Sequence, residues 1–166
     1  MLGPSGAGKT TLINALTLDA FYGECFGSVS LNGQAMNDNI FRQHCYVVKQ
    51  KDNHFPYLTC RETLTYAAKL YDITEDKNIA ALVDEVIDNT GLSICSDTTN
   101  WRLSGGQMRR LSIAIALLKQ PTCLFLDEPT SGKLCRTSDY RQWLLNWPAS
   151  NFSRLPSLLF CLFSRS

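Results

Sequence analysis

Residues 3–10 have the spacing G-x-x-x-x-G-K-T, in which a glycine-rich bend ends at a lysine and a threonine. Glycines and small side chains let consecutive backbone amides converge on a phosphate group. The lysine can bring a cation to the outer phosphates of a nucleotide, and the threonine hydroxyl can bind magnesium. The alternative is a glycine-rich turn with a chance Lys-Thr, but the apolar helical pattern that follows favours a phosphate-binding loop. Its candidate residues are Gly3, Pro4, Ser5, Gly6, Ala7, Gly8, Lys9, Thr10 and Thr11.

A pair of adjacent carboxylates, Asp127 and Glu128, follows the apolar residues 124–126. In a parallel sheet, ligands bind at the edge where the strands end. Asp127 is suited to hold magnesium, and Glu128 to orient or deprotonate a water molecule that attacks a phosphate. Acidic residues after a strand also cap helices, which is the alternative interpretation. The phosphate-binding loop upstream and the Pro129-Thr130 pair that follows favour the hydrolytic site.

The five residues L-S-G-G-Q at positions 103–107 precede a helical pattern. A serine hydroxyl and two glycine amides at a helix N-terminus would form a second anion site, which requires close approach of the backbone. A plain serine N-cap followed by glycines is the alternative for the first four residues. We call residues 103–107 the signature loop, and its candidate binding residues are Ser104, Gly105, Gly106 and Gln107.

These motifs, with L-D-E-P-T-S-G at residues 126–132, closely resemble the nucleotide-binding domains of ABC transporters. The strings at residues 3–11, 31–33 and 58–63 are similar to the G subfamily of half-transporters and multidrug efflux pumps. The resemblance covers residues 1–132 and implies a partial ABC ATP-binding domain of the α/β class. The implied fold is a P-loop NTPase with a RecA-like parallel sheet core and an ABC-type α-helical subdomain. ATP and Mg2+ are the implied cofactors.

Further roles follow from the resemblance. Gln50 matches the glutamine that contacts magnesium and couples to the membrane domain, although a solvated amide at a strand end is the alternative. The helical subdomain corresponds to about residues 55–118. Two such domains pair head to tail in this family, so the signature loop of one would cover the ATP on the phosphate-binding loop of the other.

The resemblance therefore predicts ATP binding and hydrolysis that power transmembrane export. The expected partners are a second nucleotide-binding domain and a transmembrane domain, with no nucleic acid, and the expected location is the cytoplasmic face of a membrane. One alternative is a truncated, non-catalytic fragment that binds nucleotide weakly or not at all. Another is a soluble ABC ATPase without a transport role.

Composition limits the other classes of function. The 166 residues and 45% apolar content suit one domain with an ordinary core. A formal charge of +1 creates no field that would attract nucleic acid. No segment approaches the ~20 apolar residues of a membrane span. The seven cysteines are scattered and lack C-x-x-C spacing, which favours reduced thiols over disulfides or a zinc site.

Apolar periodicity, capping residues and turn residues predict the helices and strands that must position these motifs. Asn32-Gly33 is typical of a tight turn after a strand, and the T-x-x-E spacing at Thr59 and Glu62 is a capping box. Gly91 stands where a helix C-cap is expected. The predicted helices are residues 9–20, 59–71, 79–90 and 106–119, and the predicted strands are residues 28–31, 45–48 and 123–127.

The sequence departs from the family pattern after Gly132, where Lys133 stands in place of the Leu-Asp that crosses the dimer interface. His44 and His54 lie upstream of the place where the family has a switch histidine, and we predict them to be surface residues. We therefore expect the chain to begin at an internal start, residues 133–166 to be a non-family tail from a frameshift or retained intron, and the chain alone to be inactive. The family strand that leads to the switch histidine would then be missing, and its neighbours would keep unpaired backbone groups unless the apolar residues 158–163 filled the place.

Overall fold

The computed structural model describes residues 2–4, 6–17, 24, 26–71, 78–127 and 158–165. The chain forms two compact units. The first holds the described residues up to Gln50 together with residues 121–127 and 158–165, and the second holds Lys51–Gln120. Glu128, the last residues of the first predicted helix and most of the predicted tail lie outside the described residues.

A four-stranded sheet forms the centre of the first unit. Its strands run in the order β1-β6-β5-β4, and each neighbouring pair is parallel. Uninterrupted apolar runs suit such a sheet because both of its faces are covered. Accordingly every residue of β5 is buried. The strands are β1 (Leu2–Pro4), β4 (Cys45–Val48), β5 (Cys123–Asp127) and β6 (Leu158–Arg165).

Strand β6 occupies the position of the family strand that the sequence analysis expected to be missing, between β1 and β5. Its backbone pairs with β1 on one side, where Phe163 aligns with Leu2. On the other side it pairs with β5, where Leu162 aligns with Asp127. Both neighbours therefore have a partner for their backbone N–H and C=O groups, and of the two expected outcomes the structure shows the filled sheet. The non-family origin of residues 133–166 stays a prediction.

The first helix packs against this sheet. Helix α1 (Lys9–Leu16) is shorter than the predicted residues 9–20, and Leu18 lies outside the described residues. Ile13 is buried against the sheet, and Leu16 packs at the edge of the same cluster. The neighbouring Leu12 is 39% exposed. About 100° of rotation around the helix separates it from Ile13, so only one of the two can face the sheet.

The connection from α1 to β4 contains a hairpin and a short helix. Strands β2 (Ser30–Leu31) and β3 (Gln34–Ala35) pair antiparallel around Asn32 and Gly33, whose φ angles are 52° and 82°. Two positive φ angles are the mark of the tight hairpin turn that this dipeptide predicted, so the prediction is confirmed. Helix α2 (Asp38–His44) was not predicted, although the Asn37 side chain caps it by accepting the N–H of Ile40.

Three helices pack pairwise in the second unit. They are α3 (Cys60–Leu70), α4 (Ile79–Asn89) and α5 (Gly105–Leu118), and two short 3-10 helices, Ser93–Cys95 and Asn100–Arg102, lie between the last two. The predicted capping box of α3 is confirmed. Glu62 donates its N–H to Thr59 Oγ1 at 3.1 Å, and Glu62 Oε2 accepts the N–H of Thr59 at 2.8 Å.

Helix α4 follows its predicted pattern closely. Its buried side chains are Leu82, Val83, Val86 and Ile87. Gly91 ends the helix with a φ of 64°, and the N–H of Leu92 reaches back to the carbonyl of Ile87 at 2.9 Å. This 6→1 bond and the positive φ define a Schellman C-cap, which confirms the role predicted for Gly91. None of the helices within the described residues has the length and apolar content that crossing a bilayer requires.

Candidate functional site

Three strands of the first unit end at one edge of the sheet, and the predicted site residues follow them. The phosphate-binding loop begins at the end of β1, Asp127 ends β5, and Gln50 lies two residues after β4. Val48 of β4 aligns with Leu126 of β5, so Gln50 and Asp127 leave the sheet at the same edge. Parallel strands bring their C-terminal ends together, which is why residues distant in sequence meet here.

The glycine-rich loop has the open backbone that an anion cradle requires. Gly6 and Gly8 have φ angles of 80° and 77°, in the left-handed region that side chains avoid. A Cβ placed on either residue would meet no other atom within 4 Å, so the space beside the loop is open. The bend therefore depends on glycine for its conformation and leaves room at the backbone for a bound group.

Helix α1 differs from the other described helices at its N-terminus. Its N-cap is Gly8, which provides no side-chain hydrogen bond, whereas α2, α3, α4 and α5 are each capped by a side chain. The first amides of a helix carry partial positive charge and point along its axis. An anion at this end of α1 would provide the cap that the sequence does not.

Two charged side chains accompany this helix end. Lys9 opens α1 and is only 8% exposed, and Asp127 is 5% exposed. Thr10 Oγ1 donates to both carboxylate oxygens of Asp127, at 3.0 Å to Oδ2 and 3.3 Å to Oδ1. A hydroxyl and a carboxylate held together supply the hard oxygen donors that magnesium prefers. The residues present thus fit a magnesium ion beside a phosphate chain.

The signature loop begins a helix in the second unit. Ser104 Oγ accepts the N–H of Gln107 at 3.3 Å, and Gln107 Oε1 accepts the N–H of Ser104 at 2.8 Å. These two bonds make a capping box, so the serine N-cap interpretation describes the observed geometry. Ser104 and Gly105 are exposed, and the loop therefore presents its backbone to solvent. A second anion site here stays a prediction.

These features have counterparts in known proteins. The ABC transporter family profile matches residues 1–131. The chain belongs to the ABC transporter family. Among similar proteins, ABC transporter G family member 1 of Dictyostelium discoideum is 40% identical over 150 residues, which cover 84% of this chain and 19% of that protein. ABC transporter G family member 11 of Arabidopsis thaliana is 43% identical over 143 residues, which cover 80% of this chain and 20% of that protein.

The similarity of this ABC family chain is thus to G family members, as the sequence motifs predicted. It spans about a fifth of the length of these curated relatives. Membership in the ABC family implies the P-loop NTPase fold, with which the parallel sheet and the mixed helix and strand content agree.

Four cysteines of this ABC family chain, Cys45, Cys60, Cys95 and Cys123, are buried thiols that form no disulfide. Burial, followed by the neighbouring Cys45, raises the pKa of the Cys123 thiol to about 12. Burial and the neighbouring Cys95 raise the pKa of the Cys60 thiol to about 12. Thiols that stay protonated are poor nucleophiles and poor metal ligands. These two therefore act as small apolar side chains of the core.

The two histidines that the sequence predicted to be surface residues are both partly exposed, and each has a hydrogen-bond partner that the sequence did not predict. His44 Nδ1 lies 3.3 Å from Thr122 Oγ1, and His54 Nε2 lies 2.8 Å from Ser112 Oγ. Sequence reasoning missed these contacts because the partners lie 78 and 58 residues away and share no motif with the histidines.

The environment of His54 predicts a pH dependence of stability. Burial lowers the pKa of His54, against the opposing effects of Asp52 and the Met108 backbone. The unfolded chain then binds the proton at a higher pH than the folded chain, so the stability contributed by neutral His54 is present above about pH 6.5 and is lost as the pH falls below it. We expect the melting temperature to fall more between about pH 7.5 and pH 5.5 in the wild type than in His54→Gln. Parallel pH profiles of the two proteins would contradict this assignment.

Proposed function

We propose that this chain is the nucleotide-binding part of an ATP-driven export system. The observation that carries the proposal is the hydrogen bond between Thr10 and Asp127, which joins the glycine-rich loop to the end of β5 across 117 residues of sequence. The match to the ABC transporter family supports it, as do relatives whose names describe G family transporters.

Each predicted site residue has a role in this proposal. Residues 3–11, through their backbone N–H groups at every position except Pro4, and the Lys9 ammonium bind the phosphates of ATP, while Thr10, Gln50 and Asp127 hold magnesium. Bound magnesium neutralises negative charge on the phosphates. Glu128 accepts a proton from the attacking water as the water oxygen bonds to the γ-phosphorus and the bond from that phosphorus to the bridging oxygen breaks, which releases ADP and phosphate.

The remaining parts of the proposal concern the assembly. A second nucleotide-binding domain provides Ser104, Gly105, Gly106 and Gln107 to cover the ATP, and the sheet serves as a RecA-like core. The movement of the two nucleotide-binding domains is passed to a transmembrane domain, and the chain lies on the cytoplasmic face of the membrane. One chain by itself then offers two half-sites, which agrees with the expectation that the chain alone is inactive.

Thermal melting and phosphate release together test the proposal. Magnesium-ATP at about 100 times its dissociation constant should stabilise the fold by about 2.7 kcal/mol, which appears as a higher melting temperature. Phosphate release by the chain should not exceed that of Glu128→Gln. A melting temperature that does not change when magnesium-ATP is added would contradict nucleotide binding. Release above the Glu128→Gln control would contradict the expected inactivity of the isolated chain.

A further inference from the structure

The segment that follows Gln50 is attached to the signature helix α5 by a polar cluster. Asp52 Oδ1 accepts hydrogen bonds from Arg109 Nη1 at 3.1 Å and from Ser112 Oγ at 2.5 Å. His54 Nε2 lies 2.8 Å from the same hydroxyl. Arg109 is only 6% exposed, so its charge has little access to water, and the carboxylate of Asp52 is one of the groups that compensate it. We call Asp52, His54, Arg109 and Ser112 the Asp52 clamp.

The order of the side chains in the Asp52 clamp excludes a hydrolytic triad. In such a triad the histidine lies between the serine and the carboxylate, so that it can take the serine proton. Here Ser112 lies between His54 and Asp52, and a carboxylate can only accept, so the serine proton is directed to Asp52. The cluster therefore holds two segments together and provides no activated nucleophile.

A second attachment joins residues 55–58 to the residues just before the signature loop. The Asn100 side chain donates Nδ2–H to the carbonyl oxygen of Phe55 at 2.9 Å. The backbone N–H groups of Asn100 and Trp101 donate to the carbonyls of Leu58 and Pro56, at 2.8 Å and 3.1 Å. Residues 52–58 are therefore tied both to the residues before the signature loop and to the helix after it.

We propose that Asp52 and Arg109 are positioning residues that make the segment after Gln50 and the signature helix move as one body. Asp52 follows Gln50 by two residues and Arg109 follows Gln107 by two residues, so the clamp lies beside both family motifs in the chain. A displacement of residues 52–54 is then passed directly to the signature helix. The inference rests on the proposed function, because it assigns the motion to nucleotide binding at the phosphate-binding loop.

Hydrogen exchange of the whole chain, with and without magnesium-ATP, tests the clamp in Asp52→Asn. This change keeps the shape of the side chain and removes its charge. Asp84→Asn is the matched control, because Asp84 also pairs with an arginine, Arg61, but at an exposed position in the same unit. Without nucleotide, amides of residues 104–112 should exchange about tenfold faster in Asp52→Asn than in the wild type or the control.

With magnesium-ATP, residues 104–112 should gain protection in the wild type and in Asp84→Asn but not in Asp52→Asn. The affinity for magnesium-ATP should be the same in all three proteins, an outcome that simple destabilisation would not give. Unchanged exchange in Asp52→Asn without nucleotide would overturn the clamp. So would nucleotide binding by the wild type without added protection at residues 104–112. A wild type that binds no nucleotide would contradict the proposed function, and the comparison without nucleotide would still decide the clamp.

Discussion

Lys9→Ala is expected to weaken binding of magnesium-ATP to the chain by about 100-fold. The side chain is nearly buried at the first residue of α1, beside a helix end that has no side-chain cap. The Lys9 ammonium and a phosphate of ATP would form a charge pair with little access to water. Removing one partner of such a pair costs about 2–5 kcal/mol of binding free energy, and every 1.4 kcal/mol is about tenfold in affinity. Titration calorimetry with magnesium-ATP would measure the loss.

Lys69→Ala is the control for this experiment, because Lys69 is an exposed lysine in the last turn of α3. Its affinity should equal that of the wild type. Both variants should melt cooperatively, which separates loss of binding from loss of fold. An affinity of Lys9→Ala within about threefold of the wild type would mean that the lysine does not contact the phosphates.

Asn100→Ala is expected to lower the free energy of unfolding by about 2–4 kcal/mol. Asn100 is 1% exposed and donates to two groups, the Phe55 carbonyl at 2.9 Å and Thr63 Oγ1 at 2.8 Å. Truncation removes the donor from the buried Thr63 hydroxyl, at about 1–3 kcal/mol, and from the part-buried Phe55 carbonyl, at about 1 kcal/mol. Urea denaturation followed by circular dichroism would measure the change.

Asn78→Ala provides the comparison, since Asn78 is an exposed asparagine that caps α4 by accepting the N–H of Ala80. Loss of an exposed cap costs about 1 kcal/mol. The two truncations remove the same atoms, so the difference between them isolates the effect of burial. Equal losses in the two variants would contradict the central place of Asn100 in the second unit.

Local signals in the sequence were enough to predict most helices and strands. Thr59 with Glu62, Gly91, and the Asn32-Gly33 pair each fix the backbone within a few residues, so their roles are visible without the fold. Helix α2 was missed because its seven residues include only two apolar side chains, Ile40 and Phe41, which are too few to show a periodic apolar side. The exposure of Leu12 depends on which side of α1 meets the sheet, which periodicity over two turns cannot determine.

The candidate site was predictable where motif and topology agree. Thr10 and Asp127 meet because parallel strands end at one edge, a rule that needs only the order of the elements. The Asp52 clamp was not predictable, because Asp52 and Arg109 are 57 residues apart and neither belongs to a motif. The capping box of Ser104 and Gln107 has the S-x-x-Q spacing, and the reasoning used for Thr59 would have found it.

The central claim is that Thr10 and Asp127 jointly hold the magnesium ion of a bound nucleotide. ATP affinity measured with magnesium and with a chelator, in the wild type, Thr10→Val, Asp127→Asn and the double variant, tests it most directly. We predict that magnesium tightens ATP binding to the wild type and that each single variant loses most of this gain in affinity. The double variant should lose no more of the gain than the single variant that loses more. Equal ATP affinity of the wild type with and without magnesium, or additive losses in the double variant, would contradict the claim.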